Sequence, residues 1–306
     1  MAINQYIKEI GRGKQGARSL TREQAADLFG QVLDGAVTDL EVGAFCLAMR
    51  IKGESTDEMS GFLDATGARL TRIPASDPPV LVLPSYNGAR KLPLLTPLLA
   101  QLVARQGLPV LIHGTRTETG RVSVAQVLEL LDISPLAQVR AINPGEVAYA
   151  PTEVLCPGLK RLLDTRRVLG VRNSGHSLVK LLNPCEGPAV VVGSYTHAEY
   201  AESMSAVFQH VGATAMLLRG TEGEAVADPR KLPRMEGFIQ GRPQVLEEGQ
   251  KGTAELPGLP EIDPASTAEY IRDVLSGRKP VPASIALQVE HILRLASELQ
   301  RQGDPS

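Results

Sequence analysis

Short apolar runs alternate with helical stretches between residues 80 and 218, and this alternation restricts the possible folds more than any other feature. The runs at 80–83, 109–113, 147–149, 189–193 and 213–218 predict strands, and residues 92–106, 122–131, 158–163 and 198–211 predict helices. Strands joined by helices form a largely parallel sheet that is covered on both faces. Ligands bind such sheets beyond the carboxyl ends of the strands. The loops at 84–91, 113–121 and 219–224 are therefore predicted to meet at one edge.

The first 72 residues carry a different pattern, which predicts a helical lobe. A Ser or Thr is followed three residues later by Glu or Gln, the signature of a capping box, at Thr21 and Gln24, Thr38 and Glu41, and Ser55 and Glu58. Residues 3–10 predict a further helix, and a proline-rich connector follows at 71–79. The predicted fold class is α/β, with a small N-terminal helical lobe and a larger α/β lobe around a mostly parallel central sheet.

The last third of the chain completes the predicted α/β lobe. Residues 236–259 are interrupted by Gly and Pro and predict irregular or antiparallel structure, whereas residues 266–275 and 283–301 predict helices. A further capping box, formed by Ser266 and Glu269, is expected to open the first of these two helices. The beginning of the chain is too polar for a secretory signal, and no apolar run approaches the ~18 residues that a membrane span needs. A cytoplasmic protein without membrane contact is expected.

Positive charge is concentrated near the middle of the chain, although the formal net charge is −2. Residues 160–184 contain six Lys or Arg against one acid, Asp164. Such a concentration of cations is expected to face a phosphate or carboxylate substrate or a nucleic-acid backbone. A solvated helix face is the alternative interpretation. The three cysteines are far apart and lack metal-ligand spacing, so buried thiols are predicted for all of them.

Several segments together carry a family resemblance. In chain order they are Leu20-Thr21-Arg22-Glu23, Met49-Arg50-Ile51-Lys52-Gly53-Glu54-Ser55, His113-Gly114-x-Arg116, Tyr149-Ala150-Pro151, Arg166-x-x-Leu169-Gly170-Val171-Arg172, Asn183-Pro184 and Arg219-Gly220. Most of the chain thus resembles the anthranilate phosphoribosyltransferases. The resemblance implies a helical lobe over 1–72 joined by a segment near 170–185, an α/β lobe over 73–169 and 186–306, and a homodimer formed through the helical lobe.

The chain departs from those enzymes at the positions that would hold substrate. Their diphosphate-binding Gly-Thr-Gly-Gly-Asp loop is represented by residues 84–88, Pro-Ser-Tyr-Asn-Gly, which retain one glycine. Their adjacent Asp-Glu pair for Mg²⁺ falls near Glu222 and Glu224, where Gly223 and Ala225 interrupt it, so these two acids are only weak metal candidates. No cofactor is expected, and Mg²⁺ belongs only to an enzymatic alternative. The positions that correspond to the substrate cleft are Ser85, Asn87, Gly88, His113 and Thr115.

These departures, with added cations, resemble the divergent YbiB-type branch of the family. That resemblance implies binding of single-stranded DNA or RNA with little sequence preference, by a homodimer without catalytic residues. The cations assigned to this role are Arg90, Lys91, Arg116, Arg121, Arg166, Arg172 and Lys180. The alternative is a phosphoribosyltransferase or phosphorylase with an altered substrate, in which Arg116, Arg166 and Lys180 would clamp phosphate or carboxylate.

Two local alternatives stay open in the sequence. Arg166, Arg172 and Lys180 either face the cleft or pair with acids of the helical lobe such as Asp57 or Glu58. Tyr86 either stacks on a base or packs on its own lobe. The chain has no Trp and few other aromatic residues, which limits its capacity to bind single strands by stacking.

Overall fold

The computed structural model describes residues 3–13, 15–252 and 258–303 and divides into two compact units. The helical unit comprises the residues up to 71 together with 152–184, and the α/β unit comprises 72–151 and the residues from 185 onward. The predicted fold class, a helical bundle followed by a larger α/β domain with a mostly parallel sheet, is confirmed. No helix in the described ranges is long and apolar enough to cross a membrane.

The elements follow one another in the order that the sequence pattern indicates. The first half contains α1 (Asn4–Ile10), α2 (Arg22–Asp34), α3 (Asp39–Lys52), α4 (Thr56–Gly67), β1 (Val80–Ser85), α5 (Thr96–Ala104), β2 (Val110–Gly114), α6 (Val124–Leu130), β3 (Val147–Pro151) and α7 (Thr152–Leu155). The second half contains α8 (Pro157–Asp164), α9 (Arg166–Leu169), α10 (Gly175–Leu178), β4 (Ala189–Tyr195), α11 (Ala198–His210), β5 (Ala215–Arg219), β6 (Met235–Ile239), β7 (Arg242–Glu247), α12 (Pro264–Leu275) and α13 (Ala283–Gly303).

The core of the helical unit is built on three aromatic rings and one close backbone contact. Phe29 stacks on Phe62 with ring centroids 4.5 Å apart, and Phe45 meets both rings edge-on. All three rings are fully buried. Gly61 allows α4 to approach α2, because a Cβ at that position would lie 2.2 Å from the Arg22 carbonyl oxygen. The three predicted capping boxes, which open α2, α3 and α4, are all confirmed.

The segment that returns to the helical unit is longer than predicted. The resemblance places residues 152–169 in the α/β lobe, but they belong to the helical unit. The physical reason is the contact between α8 and α2. A Cβ at Gly158 would lie 2.2 Å from the Leu33 carbonyl oxygen, and the Arg161 guanidinium donates to the same oxygen at 2.8 Å. The return therefore begins at Thr152 instead of near residue 170.

The α/β unit is organised around a seven-stranded sheet with the strand order β3-β2-β1-β4-β5-β6-β7. The first five of these strands pair in parallel, and β6 and β7 form an antiparallel extension. The predicted strands and the antiparallel interpretation of the segment after residue 236 are confirmed, although residues 253–257 of that segment lie outside the described residues. The direction of strand progression reverses between β1 and β4, which is where open α/β sheets bind ligands.

Two helix starts differ from the sequence prediction, in both cases near prolines. The capping box at Ser266 and Glu269 is wrong, because Asp263 caps α12 by accepting the Ser266 amide at 2.9 Å, with Pro264 in the first turn. Proline is well suited to this position because its missing N–H has no helical partner there. Helix α5 begins at Thr96 instead of near residue 92, after Pro93, and it carries Pro97 in its first turn.

Candidate functional site

The loops after β1 and β5 meet at the carboxyl edge of the sheet, as predicted, through the buried side chain of Glu224. One carboxylate oxygen of Glu224 accepts the main-chain N–H groups of Asn87 and Gly88, each at 2.8 Å. The other oxygen accepts the Ser85 hydroxyl. Glu224 is 1 % exposed, so these bonds are shielded from water. Charge-assisted bonds of this kind are stronger than bonds between neutral groups.

Glu222 contacts the same loop two residues further along. Its carboxylate accepts the main-chain N–H of Arg90 at 2.6 Å and that of Lys91 at 3.0 Å, while its carbonyl oxygen accepts the Asn87 side-chain amide at 2.7 Å. Four main-chain donors of the loop after β1 are therefore bonded to the carboxylates of Glu222 and Glu224. Successive N–H groups in such loops bind phosphate in other proteins, and here the protein supplies the oxygens itself.

The two glutamates do not fit a magnesium site. Mg²⁺ needs carboxylate lone pairs to complete an octahedral shell. Two loop N–H groups already use both lone pairs of one Glu224 oxygen, and one N–H group bonds to each Glu222 oxygen. Among the described residues, no group of three or more His, Cys, Asp or Glu side chains is arranged to hold a metal ion. We therefore derive no metal-dependent step at this edge of the sheet.

The loop after β2 closes the third side of the site. The Thr117 hydroxyl donates to the Tyr86 carbonyl oxygen at 2.7 Å, and the Ala89 and Val122 backbones form a two-way bridge. Gly114 is required at the end of β2, since a Cβ there would lie 1.9 Å from the Ser85 carbonyl oxygen. The three predicted loops thus converge: the carboxylates of Glu222 and Glu224 join the loop after β5 to the loop after β1, and the Thr117 and Val122 bonds join the loop after β2 to it.

His113 and Tyr86 form a buried pair beneath this loop. The Tyr86 hydroxyl and His113 Nδ1 are 2.9 Å apart, and the two rings meet edge-on. Full burial lowers the pKa of His113 to about 3, so the imidazole is neutral at physiological pH and is not a proton carrier there. Tyr86 is 5 % exposed and packs on its own unit, so it is not a stacking platform.

The substrate-like positions enclose almost no empty space within the α/β unit. Ser85, Asn87, Gly88 and Thr115 line a cavity of about 10 Å³, together with Arg116 and Arg121. A cavity needs ~10–15 Å³ to hold one water molecule. The structure therefore brings these six predicted residues together, but around a cavity that is much smaller than a sugar diphosphate.

The four predicted cations of the α/β unit differ in how far their charge is compensated. Arg90 and Lys91 are exposed, and neither side chain forms an ion pair within the described ranges. Arg116 is also exposed, but its guanidinium donates to the carbonyl oxygens of Glu118 and Thr119, which do not neutralise it. Arg121 is half-buried and pairs with the Glu118 carboxylate at 3.0 Å. Arg90, Lys91 and Arg116 therefore carry the available positive charge.

The other three predicted cations, Arg166, Arg172 and Lys180, are half-buried in the helical unit. One of the two acids considered as their partners is engaged elsewhere. Glu58 is fully buried, and its carboxylate accepts Lys52 Nζ at 2.6 Å and the main-chain N–H groups of Leu20 and Ser55. Sequence reasoning missed the Lys52–Glu58 pair. Lys52 and Glu58 are six positions apart and lie in different helices, because Gly53 ends α3 and the chain turns before Glu58. Their spacing in the sequence therefore does not indicate that they form a pair.

The cysteines are buried thiols, as predicted. Burial raises the pKa of the Cys46 thiol to about 11 and that of Cys185 to about 12, and it also raises the pKa of Cys156. The nucleophilic species is the thiolate. Since all three groups stay protonated at neutral pH, we assign no chemistry to them.

Comparison with known proteins identifies several relatives. Residues 4–67 match the model of the glycosyl transferase family, helical bundle domain. The chain is 40 % identical over 297 residues to YbiB of Escherichia coli K12, an alignment that covers 94 % of this chain and 92 % of the relative. It is 28 % identical over 290 residues to the anthranilate phosphoribosyltransferase of Methylobacterium radiotolerans, with 89 % of this chain and 81 % of the relative covered.

Solved structures with the same fold come from the same group of proteins. The anthranilate phosphoribosyltransferase of Thermus thermophilus has a TM-score of 0.72 at 20 % identity and covers 97 % of this chain and 93 % of its own. The Saccharomyces cerevisiae protein in complex with PRPP and Mg also has a TM-score of 0.72, at 14 % identity, with 97 % of this chain and 89 % of the neighbour covered. At these identities the likeness establishes the fold alone.

Proposed function

The chain belongs to the anthranilate phosphoribosyltransferase-like family, and on that premise we propose that it binds nucleic acid through backbone phosphates and transfers no phosphoribosyl group. One observation supports this proposal above all others. The N–H groups of the loop after β1, which would have to receive a diphosphate, are bonded to Glu222 and Glu224. A diphosphate would have to displace the buried carboxylate of Glu224 and the half-buried carboxylate of Glu222 to use them. The cytoplasmic location stays a prediction from the sequence.

The family's enzymatic function is the second candidate, since relatives with that activity align with most of the chain. Transfer from PRPP would need a pocket for a sugar diphosphate and oxygens for Mg²⁺. The cavity between Ser85, Asn87 and Thr115 measures about 10 Å³, and both glutamates near the magnesium positions are engaged. These two features favour binding over transfer.

The exposed cations suit a long polyanion better than a small one. Arg90 and Lys91 extend from a loop whose backbone is fixed by Glu222, so their side chains can meet phosphates without rearrangement of the main chain. Neutralising backbone phosphates releases counterions and gives affinity without sequence preference. Because Tyr86 is buried, we attribute the affinity to phosphate contacts and expect little contribution from base stacking at this loop.

The experiment compares the wild type with a double variant, Arg90→Ala and Lys91→Ala. If each side chain neutralises one phosphate of a single strand, the slope of log K against log salt is expected to become shallower by about 1.4, at ~0.7 per phosphate. The ratio of wild-type to variant affinity should then be about sevenfold larger at 50 mM than at 200 mM salt. Fluorescence anisotropy with two unrelated fluorescent oligonucleotides measures this difference, which should be the same for both.

The matched control is Arg242→Ala with Lys251→Ala, which removes two exposed cations from the same unit. Its salt slope should equal that of the wild type. Calorimetry with PRPP is expected to show no tight binding that depends on Mg²⁺. Equal slopes for the two double variants would move the nucleic-acid surface away from Arg90 and Lys91, and micromolar PRPP binding with product formation would establish the enzymatic alternative.

We further propose that the protein is a homodimer through the helical unit. Helix α3 exposes Leu40, Leu47 and Ile51 at 83 %, 46 % and 67 %, and their spacing of seven and four residues places them on one helix face. Val168 of α9 is 89 % exposed and adds to the apolar surface of this unit. Exposed apolar groups of this kind mark interaction sites.

The dimer is tested with Leu47→Glu, which places a charge in the proposed interface. Sedimentation equilibrium is expected to give a dimer mass for the wild type at micromolar concentration and a monomer mass for the variant. Val245→Glu is the control, because Val245 is 47 % exposed on the α/β unit and the substitution changes charge in the same way. A dimeric Leu47→Glu variant would place the interface elsewhere.

A further inference from the structure

A second, larger cavity lies at the carboxyl edge of the sheet, outside the loop that Glu224 occupies. Its volume is about 300 Å³, and it is lined by residues at or beyond the carboxyl ends of β1, β4 and β5, among them Lys91, Thr196 and Arg219. The strand order reverses between β1 and β4, so the cavity lies at the position where open α/β sheets bind ligands. A volume of ~300 Å³ is within the range of small-molecule sites.

The charges around this cavity are unequal. Its lining includes four cations, Lys91, Arg219, Arg230 and Lys231, and two acids, Glu222 and Asp228. Arg230 is compensated by Asp228, because its guanidinium donates to both carboxylate oxygens of that residue at 3.0–3.1 Å.

Lys91, Arg219 and Lys231 form no ion pair within the part of the chain that the structure describes. Glu222 is the one remaining acid of the lining, and it is bonded to main-chain amides. The lining therefore carries a net charge of two positive units.

A buried hydroxyl group lies in the same wall. Thr221 lines the cavity and is 6 % exposed. Among the described residues its Oγ1 has no hydrogen-bond partner, whereas buried polar groups are normally bonded. A ligand oxygen in the cavity is the kind of partner that such a hydroxyl lacks. This observation is independent of the charge and points to an oxygen-rich ligand.

We propose that this cavity binds the phosphate monoester of a small phosphorylated molecule or of a strand terminus. A phosphate monoester is close to a dianion at neutral pH, which matches the net charge of two positive units on the lining, and its three terminal oxygens can accept bonds from Arg219, Lys231 and Thr221. The remaining volume accommodates the group that carries the phosphate. Lys91 belongs both to this cavity and to the backbone-phosphate surface proposed above, but the cavity is argued from Arg219, Lys231 and Thr221, and its ligand does not require nucleic-acid binding.

Calorimetry on the full chain tests the proposal with three probes, adenosine 5′-monophosphate, adenosine and inorganic phosphate. Adenosine 5′-monophosphate is expected to bind and adenosine not to bind. The double variant Arg219→Ala and Lys231→Ala should weaken binding at least tenfold, while the control Arg242→Ala and Lys251→Ala should leave it unchanged. Melting curves identify a variant that fails to fold, in which case Lys231→Ala alone, which removes one half-buried side chain, is expected to show a smaller loss of the same sign.

Oligonucleotides with and without a 5′-phosphate distinguish the source of the phosphate. If the terminus of a strand is the ligand, the 5′-phosphorylated strand binds more tightly than the hydroxyl strand, and Arg219→Ala with Lys231→Ala removes that difference only. If a free phosphorylated molecule is the ligand, inorganic phosphate competes with adenosine 5′-monophosphate and the two strands bind alike. The proposal is overturned if no phosphate compound binds. It is also overturned if Arg219→Ala with Lys231→Ala weakens binding of the hydroxyl strand as much as binding of the 5′-phosphorylated strand. That last result would leave the backbone-phosphate surface intact.

Discussion

Phe62→Ala is expected to lower the free energy of unfolding by about 3–5 kcal/mol, the range for truncating a buried phenylalanine. Phe62 is fully buried, stacks on Phe29 and meets Phe45 edge-on with centroids 5.9 Å apart. The substitution removes both aromatic contacts and leaves a cavity that Gly61 cannot fill, because the helix backbones are already in contact there. Since folded domains are stable by only ~5–15 kcal/mol, the helical unit should become marginal.

Urea denaturation followed by far-ultraviolet circular dichroism measures the effect. Tyr200→Ala is the matched control, because it truncates an aromatic side chain that is 41 % exposed, and surface substitutions of this kind usually change stability by less than ~0.5 kcal/mol. An early transition for Phe62→Ala that involves only part of the signal would show that the helical unit unfolds separately. A cost below ~1 kcal/mol would show that the three rings do not form the core of that unit.

Those parts of the fold that depend on neighbouring residues could be predicted from the sequence. A capping box needs a hydroxyl and an acid or amide three positions apart, and both of its bonds form within one helical turn. The boxes at Thr21, Thr38 and Ser55 were therefore predictable. The strands were predictable for a related reason, since strands that are buried on both faces are continuous apolar runs. All six residues of β1 are buried.

The incorrect predictions arose where the sequence offers more than one plausible residue for a helix cap, or more than one unit for a segment to pack against. The prediction for α12 selected Ser266 because Glu269 follows it, yet Asp263 takes the cap with Pro264 behind it. The unit boundary depends on a glycine, Gly158, whose importance comes from the Leu33 carbonyl oxygen 125 positions earlier in the chain. Periodicity reports which face of a helix is apolar, but not which unit provides the surface that covers it.

In the candidate site, too, the residues could be found from the sequence, but the contacts between distant residues could not. Loss of the glycines after β1 and loss of the acidic pair after β5 are visible as two separate departures from the resembled enzymes. The structure shows that they are connected, because Glu224 bonds to Asn87 across 137 positions of the chain and to Gly88 across 136. The acid that no longer belongs to an adjacent pair instead bonds to the amides of the loop. A sequence contains both residues, but it does not contain the distance between them.

Glu224→Ala tests whether the amides of the loop after β1 require an anionic partner. It removes the acceptor of four donors, the hydroxyls of Ser85 and Thr96 and the amides of Asn87 and Gly88. Buried donors left unsatisfied cost about 1–3 kcal/mol each. The variant is therefore expected to lose about 3 kcal/mol of stability or more, measured by urea denaturation, with the loss located in the α/β unit.

The vacated space has the size of a carboxylate, so a small carboxylate should restore part of the lost stability. Acetate or formate that binds the folded variant stabilises it by RT ln(1 + [L]/Kd), about 1.4 kcal/mol at ten times Kd. Sodium chloride at the same ionic strength should have no such effect, and neither salt should stabilise the wild type selectively.

Glu222→Ala is the control for this rescue. Glu222 is half-buried, so the freed amides of Arg90 and Lys91 can bond to water, and both the cost and the rescue should be smaller. If acetate stabilised the two variants and the wild type alike, its effect would be a general one of the salt. The loop amides would then not be a site that an anion must fill, and the bonds to Glu224 would no longer support the proposal that the loop does not bind a diphosphate.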